Sequence, residues 1–307
     1  MLSEIFYWVL NISIIGGGTG LIVVLLGKSP KLPRFAAYIL WTLPLIRLWI
    51  PFGMTNRWSL LSLISRYVTK TVMIWEEVPW TPDFSMTNSI QAAKSYFPIE
   101  YKTYLLKKIF EVASVIWVII AIAAIITSVF LYILTKRELW DARHLKENIW
   151  ISGKVTSPSV YGIIKPRIIL PEWIPEKDMP YILAHERVHI IRRDNLWRII
   201  AVITACIHWF NPLVWIFLYR FITDMELACD TKALKILGED KAKDYATALL
   251  ACAAGKSYFI SAFAGVKTRV RINSILTYKK LTLLSTIAFI VLLVAVTAVL
   301  ITNAVGG

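Results

Sequence analysis

The chain has 307 residues, 57% of them hydrophobic, and a formal net charge of +14. Its mean hydropathy of +0.61 is far above that of an ordinary soluble domain, which excludes a purely water-soluble globular protein. No recognised nucleic-acid-binding motif accompanies the positive charge. We therefore attribute the charge to membrane topology and lipid contact, and expect the bilayer rather than nucleic acid as a direct partner.

Four apolar windows predict transmembrane helices, because each is about as long as a helix that crosses a hydrocarbon core of roughly 30 Å. The second window contains Pro44 and Arg47, and we interpret Arg47 as a residue that snorkels toward the interface. The first three windows form a membrane region, residues 1–135, with an external loop at about 53–108. The fourth belongs to a C-terminal region, residues 281–307. The windows are residues 5–26, 35–52, 112–135 and 281–302.

Basic residues in the loops predict the orientation of these spans. Residues 136–280 contain 23 Lys and Arg against 14 Asp and Glu, whereas the loop 53–108 contains 7 against 4. The short loop 27–34 has three basic residues and no acid. We therefore expect a multi-pass protein of the cell membrane, with residues 27–34 and 136–280 in the cytoplasm and both termini outside.

Residues 136–280 predict one small cytoplasmic α+β domain. A charged, helix-like stretch at 136–147 precedes three short strands. A helix is then expected after Asp178, which suits the N-cap, with Pro180 in the first turn. Gly238 lies where a helix C-cap would be. The predicted strands are residues 149–155, 160–164 and 167–170, and the two later helices are residues 223–237 and 240–254.

The H-E-x-x-H motif at His185, Glu186 and His189 carries the chemistry. Two histidines four residues apart on a helix face the same side and can share a metal ion, while the glutamate beside the first can hold the attacking water. For a chain of this composition the motif is expected by chance on the order of 0.002 times. The pattern therefore predicts a zinc hydrolase with Glu186 as the catalytic residue.

A third metal ligand must come from elsewhere, because catalytic zinc takes three protein ligands. The segment TDMELACDTKAL offers Glu226 and, four residues on, Asp230. On one helical face, Glu226 can bind the metal and Asp230 can hold a ligand imidazole by its free N–H. Arg192 and Asp194, just past the second histidine, either support the site in the same way or only mark the end of the helix.

The apolar run 196–222 could pass for a further span, but a span here would separate Glu226 from the two histidines. Asn211-Pro212 interrupts the run and leaves two pieces, each too short to cross the membrane. We therefore predict a helical hairpin that dips into the bilayer or packs on the spans and returns. Both halves of the zinc site then stay on the cytoplasmic side.

These motifs resemble the BlaR/MecR-type membrane zinc metallopeptidases, the antirepressor proteases of β-lactam sensing. The matching segments are HERVHIIRRDN, WFNPLVW and MELACDTKAL, preceded by SPSVYGIIKPRIILP. The resemblance implies a gluzincin-like fold, Zn²⁺ bound by His185, His189 and Glu226, and Glu186 as general base. It also implies that the strand pair at residues 160–170 offers an edge for a substrate strand.

The resemblance further implies cleavage of a cytoplasmic transcriptional repressor of the winged-helix type. In the best-known members an extracellular penicillin-binding domain follows the fourth span. Here the sequence ends at TNAVGG and contains no S-x-x-K acylation motif. This sequence therefore lacks the sensor domain, and we expect no direct β-lactam sensing by it, unless the chain is truncated or a separate protein supplies the sensor. Residues 255–271 are either a self-cleavage site or a linker packed on the membrane through its aromatic and basic residues.

Two other function classes remain open at the level of sequence. One is a membrane quality-control protease of the HtpX/Ste24 type. The other is a non-catalytic membrane receptor with a structural zinc site. Structural zinc is usually closed by four protein ligands, and the sequence shows no fourth, which favours the enzyme.

Overall fold

A computed structural model of the chain describes residues 1–29, 32–50, 56–59, 104–137, 139–254, 268–278 and 283–302. These residues form ten α-helices and one four-stranded sheet. The helices before the sheet are α1 (Leu2–Gly27), α2 (Arg34–Leu40), α3 (Thr42–Trp49) and α4 (Tyr104–Arg137). The strands are β1 (Arg143–Lys146), β2 (Ile149–Ser152), β3 (Ser159–Tyr161) and β4 (Arg167–Pro171). The helices after the sheet are α5 (Met179–Arg192), α6 (Asp194–Ile207), α7 (Pro212–Leu237), α8 (Ala242–Ala254), α9 (Thr268–Leu276) and α10 (Leu283–Ile301).

Two helices of the described chain are long and apolar enough to cross a membrane, namely α1 and the part Lys108–Arg137 of α4. Within α10, Ser285–Ile301 is a shorter apolar helix. The described part of the chain is thus mostly helical, and two of its helices could cross a membrane. The arrangement of four spans, the orientation and the domain boundaries stay predictions, and residues 60–103 of the predicted external loop lie outside the described residues.

The second predicted span is not one helix. It is divided between α2, of 7 residues, and α3, of 8 residues. Pro44 has no N–H for a bond to the carbonyl of Leu40, so a continuous helix would lose a rung at this point. The hydroxyl of Thr42 donates instead to the carbonyl of Ile39, at 2.8 Å.

Arg47 does not snorkel, so that interpretation is wrong. Its side chain lies inside the helical bundle and the residue is only 2% exposed. Its Nε donates to the carbonyl of Leu300 at 2.8 Å, and its Nη2 donates to that of Thr302 at 2.6 Å. The last carbonyls of a helix have no partner within the helix. Arg47 therefore caps the carboxyl end of α10.

The hairpin predicted at Asn211-Pro212 is present. α6 ends at Ile207, and α7 begins after Asn211, whose side chain accepts a hydrogen bond from the backbone N–H of Leu213. The turn between them is held among the apolar helices: the amide of Asn211 donates to the carbonyl of Ser13 at 3.1 Å. The indole of Trp117 donates to the carbonyl of Ile207 at 2.8 Å. α6 is about 21 Å long. The turn of the hairpin, which follows its last residue, therefore lies about that far from Asp194, where α6 begins.

The sheet has the order β1-β2-β4-β3, with β2 and β4 parallel and the outer pairs antiparallel. Its buried residues, including Ile168 and Leu170, pack against Ile182 of α5. The prediction of a helix at 136–147 is wrong beyond Arg137. There Glu147 takes a φ of +50°, which turns the chain and pairs β1 with β2. Pairing with β2 thus outweighs the local helical preference of a charged stretch.

The other boundaries agree more closely with the predictions. α5 begins after Asp178 with Pro180 in its first turn, although the side chain of Asp178 makes no capping hydrogen bond. α7 ends at Leu237, and Gly238 at its C-cap has a φ of +104°, which favours glycine. β3 is an edge strand, whereas β4, the other half of the predicted edge, is interior.

Gly20 tests the packing of the hairpin against α1. A Cβ at Gly20 would overlap the ring of Phe217 in α7, whereas a Cβ at Gly18 meets no atom within 4 Å. Gly20→Ala should lower the free energy of unfolding by about 1–3 kcal/mol, the usual cost of overpacking. Gly18→Ala should be neutral or slightly stabilising, because alanine favours helix. Thermal unfolding in detergent, followed by helical circular dichroism, measures both, and equal stability of the two variants would contradict the packing.

Candidate metal centre

α5 presents the two histidines of the motif on one face. The ring planes of His185 and His189 are nearly perpendicular, and their Nε2 atoms lie 3.1 Å apart. His185, Glu186 and His189 are 5%, 6% and 8% exposed. The four-residue spacing on a helix accounts for this convergence. Two imidazole nitrogens this close and shielded from water favour a cation between them.

α7 brings a carboxylate to the same point. Glu226 Oε2 lies 3.5 Å from His185 Nε2, and Glu226 Oε1 lies 3.7 Å from His189 Nε2. Around a tetrahedral zinc ion with bonds of about 2.0–2.2 Å, neighbouring ligand atoms are about 3.3 Å apart. The two nitrogens and the carboxylate have nearly this separation, so this donor set fits a zinc ion without large movement.

Asp194 holds the ring of His189. Arg193 has a φ of +54°, a left-handed conformation that ends α5 and starts α6 at the next residue. This turn places Asp194, which is 0% exposed, beside α5, and its Oδ2 lies 2.6 Å from His189 Nδ1. A carboxylate on Nδ1 fixes the tautomer and directs Nε2 toward a metal.

Asp230 and Tyr245 hold the ring of His185. Asp230 Oδ1 lies 3.1 Å from His185 Nδ1, and the hydroxyl of Tyr245 in α8 lies 2.9 Å from the same nitrogen. The Tyr245 hydroxyl also donates to Asp230 at 2.8 Å. Burial and the nearby Asp230 raise the pKa of Tyr245 well above 10, so its hydroxyl stays a neutral donor. Each imidazole thus has a buried carboxylate behind it.

Arg192 does not contact either imidazole through a hydrogen bond. Its Nε donates to Asp194 Oδ1 at 3.1 Å, and its Nη2 donates to the carbonyl of Met225 at 3.1 Å. Met225 precedes Glu226 on α7. Arg192 therefore joins the end of α5 to the part of α7 that carries the carboxylate.

Arg271 belongs to the site, which the sequence did not reveal. Its Nε and Nη2 donate to the two oxygens of Asp230, at 2.8 and 2.7 Å, and Nη1 lies 3.6 Å from Glu226 Oε2. Of the two alternatives for residues 255–271, the linker packed on the membrane through its basic residues does not hold for Arg271, which contacts Asp230 and Glu226. It lies on α9, and nothing in the local pattern of basic residues separates it from its exposed neighbour Arg269. Residues 255–267 lie outside the described part of the chain.

The charges around the site keep the carboxylates of Glu226 and Asp230 ionised. Burial opposes ionisation of Glu226, but His189, His185 and Arg271 outweigh burial and hold its pKa well below the usual range. Burial likewise opposes ionisation of Asp230, and Arg271 lowers the pKa of that carboxyl below its usual value. Both acids are therefore negative at neutral pH, as metal binding requires.

Cys229 also lies close to the two histidines. One turn of α7 separates it from Glu226, it is 0% exposed, and its Sγ lies within 4.8 Å of donor nitrogens of both imidazoles. Its thiol also lies 3.4 Å from the backbone carbonyl of His185, to which it donates. The structure thus adds Cys229 as a residue that could bind a metal ion together with the two histidines.

The sequence of the chain matches a known family of peptidases. Residues 7–278 match the family described as BlaR1 peptidase M56. Because this match covers most of the chain, the chain belongs to that family, whose members are metallopeptidases. The family and the two long apolar helices together indicate a membrane metallopeptidase.

Among named relatives, the chain is 28% identical over 221 residues to the regulatory protein BlaR1 of Bacillus licheniformis, covering 65% of this chain and 36% of the relative. It is 33% identical over 122 residues to the methicillin resistance mecR1 protein of Staphylococcus aureus strain Mu50, covering 38% and 21%. For the regulatory protein BlaR1 of Staphylococcus aureus the identity is 32% over 111 residues, covering 34% and 19%. The chain thus spans about a third or less of these relatives.

Arg271 and Arg269 form a matched pair for testing the site's buried ion pair. Arg271→Ala leaves Asp230 buried without its cation, a change that typically costs about 3–5 kcal/mol. In metal-free protein we expect a clearly lower melting temperature than for Arg269→Ala, which removes an exposed guanidinium. Thermal unfolding of the full chain in detergent with a chelator measures this. If both variants melt together, the Arg271–Asp230 pair does not stabilise the fold.

Proposed function

We propose that this protein is a zinc metalloendopeptidase that hydrolyses peptide bonds at the cytoplasmic face of the cell membrane. His185, His189 and Glu226 would hold the metal. The observation that carries the proposal is the convergence of these three groups on one point, with a buried carboxylate behind each imidazole. Two imidazoles and one carboxylate leave a fourth zinc position for water or substrate.

The residues around this position have distinct tasks. Bound zinc would supply a Lewis acid that polarises the scissile carbonyl and lowers the pKa of water. Glu186, next to His185 on α5, accepts the proton of the attacking water and then passes it to the leaving amine. Asp194 and Asp230 keep the imidazole rings in one tautomer and orientation.

The proposed domains follow the sequence boundaries, with a cytoplasmic peptidase domain at residues 136–280 between membrane regions at 1–135 and 281–307. The hairpin 196–222 is the membrane-associated part of that domain. Its apolar surface and its contacts with α1 and α4 support this placement. The orientation, with both termini outside, is proposed from the loop charges.

For the substrate, we propose a cytoplasmic transcriptional repressor of the winged-helix type, with self-cleavage at residues 255–271 as a second reaction. Two of the relatives are named regulatory proteins and one a methicillin resistance protein, which supports signalling over quality control. The amide of Asn195 donates to the carbonyl of Val160 in the edge strand β3 and to that of Gly162 just after it, which ties this strand to the start of α6.

A structural zinc site is the second candidate, because Cys229 offers a fourth ligand that would close the site. Metal analysis of purified variants separates the two. Wild-type protein should hold about one zinc per chain. Glu226→Ala should lose the metal as His189→Ala does, and Asp230→Ala should bind it about 10–100-fold more weakly. Cys229→Ala should retain it.

Cobalt substitution gives an independent control, since a thiolate ligand adds a sulfur-to-cobalt charge-transfer band in the near ultraviolet. We expect no such band. Its presence, with metal loss in Cys229→Ala, would favour the structural site. Full zinc occupancy in Glu226→Ala would remove that residue from the ligand set.

Glu186→Gln tests the catalytic step. The change removes the base and spares the proposed ligands, so zinc content should stay at the wild-type level while peptide cleavage is lost. Proteomics of induced cells expressing either form would identify the cleaved repressor and any C-terminal fragment that contains α10. Glu176→Gln, an exposed acid before α5, is the matched control and should cleave normally. Cleavage that persists in Glu186→Gln would assign it to another protease.

A further inference from the structure

We propose that Tyr38, in the short helix α2, is a positioning residue of the metal centre that acts on His189 through Asp194. The inference rests on the proposed zinc site and extends it to a helix far outside the H-E-x-x-H segment. Tyr38 precedes Asp194 by 156 residues, and its hydroxyl donates to Asp194 Oδ1 at 3.1 Å. α2 thereby helps to orient the imidazole ring of His189, a proposed metal ligand.

The carboxylate of Asp194 is divided between the imidazole and its supports. Oδ2 lies 2.6 Å from His189 Nδ1, whereas Oδ1 receives the Tyr38 hydroxyl and Arg192 Nε, each at 3.1 Å. Asp194 is 0% exposed, so its carboxylate depends on donors from the protein. A buried carboxylate with one donor fewer is held less firmly, and its freedom is transmitted to the ring of His189.

Arg192 gives Tyr38 a second connection to the site. Its guanidinium carbon lies 4.3 Å from the centre of the Tyr38 ring, a cation–π contact. The same guanidinium donates to the carbonyl of Met225, next to Glu226. Tyr38 therefore contacts Asp194 through its hydroxyl and, through its ring, Arg192, which joins the end of α5 to α7.

α2 is itself fixed on α7, which makes the position of Tyr38 definite. The ring of Tyr38 stacks on Phe221, with centroids 5.7 Å apart and planes at 21°. The indole of Trp41 donates to Asp224 Oδ2 at 2.8 Å. Phe221 and Asp224 lie within two turns before Glu226. A shift of α2 along α7 would remove the Tyr38 hydroxyl from Asp194 without moving any ligand directly.

Two substitutions, one on α2 and one at its C-cap residue, separate positioning from general stability. Tyr38→Phe removes the hydroxyl and keeps the ring for its contacts with Arg192 and Phe221. Trp41→Phe removes a comparable hydrogen bond, from the C-cap of α2 to a carboxylate that does not contact a histidine. In full-length protein in detergent, we expect Tyr38→Phe to raise the zinc dissociation constant about tenfold, the lower end for residues that orient ligands. Trp41→Phe should leave it unchanged within about twofold.

The variants are repeated with Asp194→Asn, with zinc titrated as the metal alone. If Tyr38 acts through Asp194, Tyr38→Phe adds no further loss of affinity in that background. Equal zinc affinity of wild type and Tyr38→Phe overturns the inference, as does an additive loss with Asp194→Asn. A parallel loss of affinity and melting temperature in both α2 variants also overturns it, because it shows general destabilisation. Absence of zinc binding by the wild type would instead contradict the proposed metal centre.

Discussion

The structure depends on one constraint: donor groups on α5 and α7 must meet although a long apolar run separates them in sequence. Asn211-Pro212 resolves this by turning the chain. Asparagine caps the new helix, and proline suits its first turn because the N–H it lacks would have no helical partner there. α7 then continues without a break from the turn to Glu226. The same helix therefore contacts the apolar bundle with its first half and the histidines with its second.

A second property follows from the burial of the site. Four acids and several arginines lie close to two imidazoles in a region with little water, so each charge needs a defined partner. For two of the acids, Asp194 and Asp230, the structure supplies these partners in two chains of contacts. One runs from His189 through Asp194 to Tyr38 on α2, and the other from His185 through Asp230 to Arg271 on α9. Each chain ends on a helix outside α5 and α7, one before the sheet and one directly before α10.

The parts that sequence could predict are those with a local signature. The motif spacing on α5, the start of that helix at Asp178 and the turn at Asn211 each depend on a few neighbouring residues. Arg271, Tyr245 and Tyr38 have no such signature, since only tertiary packing brings them to Asp230 and Asp194. The same limit explains β1 and Arg47, where pairing with β2 and the open carbonyls of α10 outweighed local preference.

These contacts show that the proposed boundary at residue 136 does not separate the site from the helices before it. The proposed peptidase domain contains all ligand candidates, yet the Tyr38 hydroxyl, the Trp41 indole and the close approach of Gly20 to Phe217 all come from before it. A fragment beginning at residue 136 would leave the apolar faces of α6 and α7 uncovered and Asp194 with one donor fewer. The metal centre is therefore assembled on a scaffold shared with the membrane helices. α2 and α9 carry supports for opposite imidazoles, so the two rings depend on hydrogen bonds from Tyr38 and Arg271, on helices that lie outside the H-E-x-x-H segment and on either side of it in sequence.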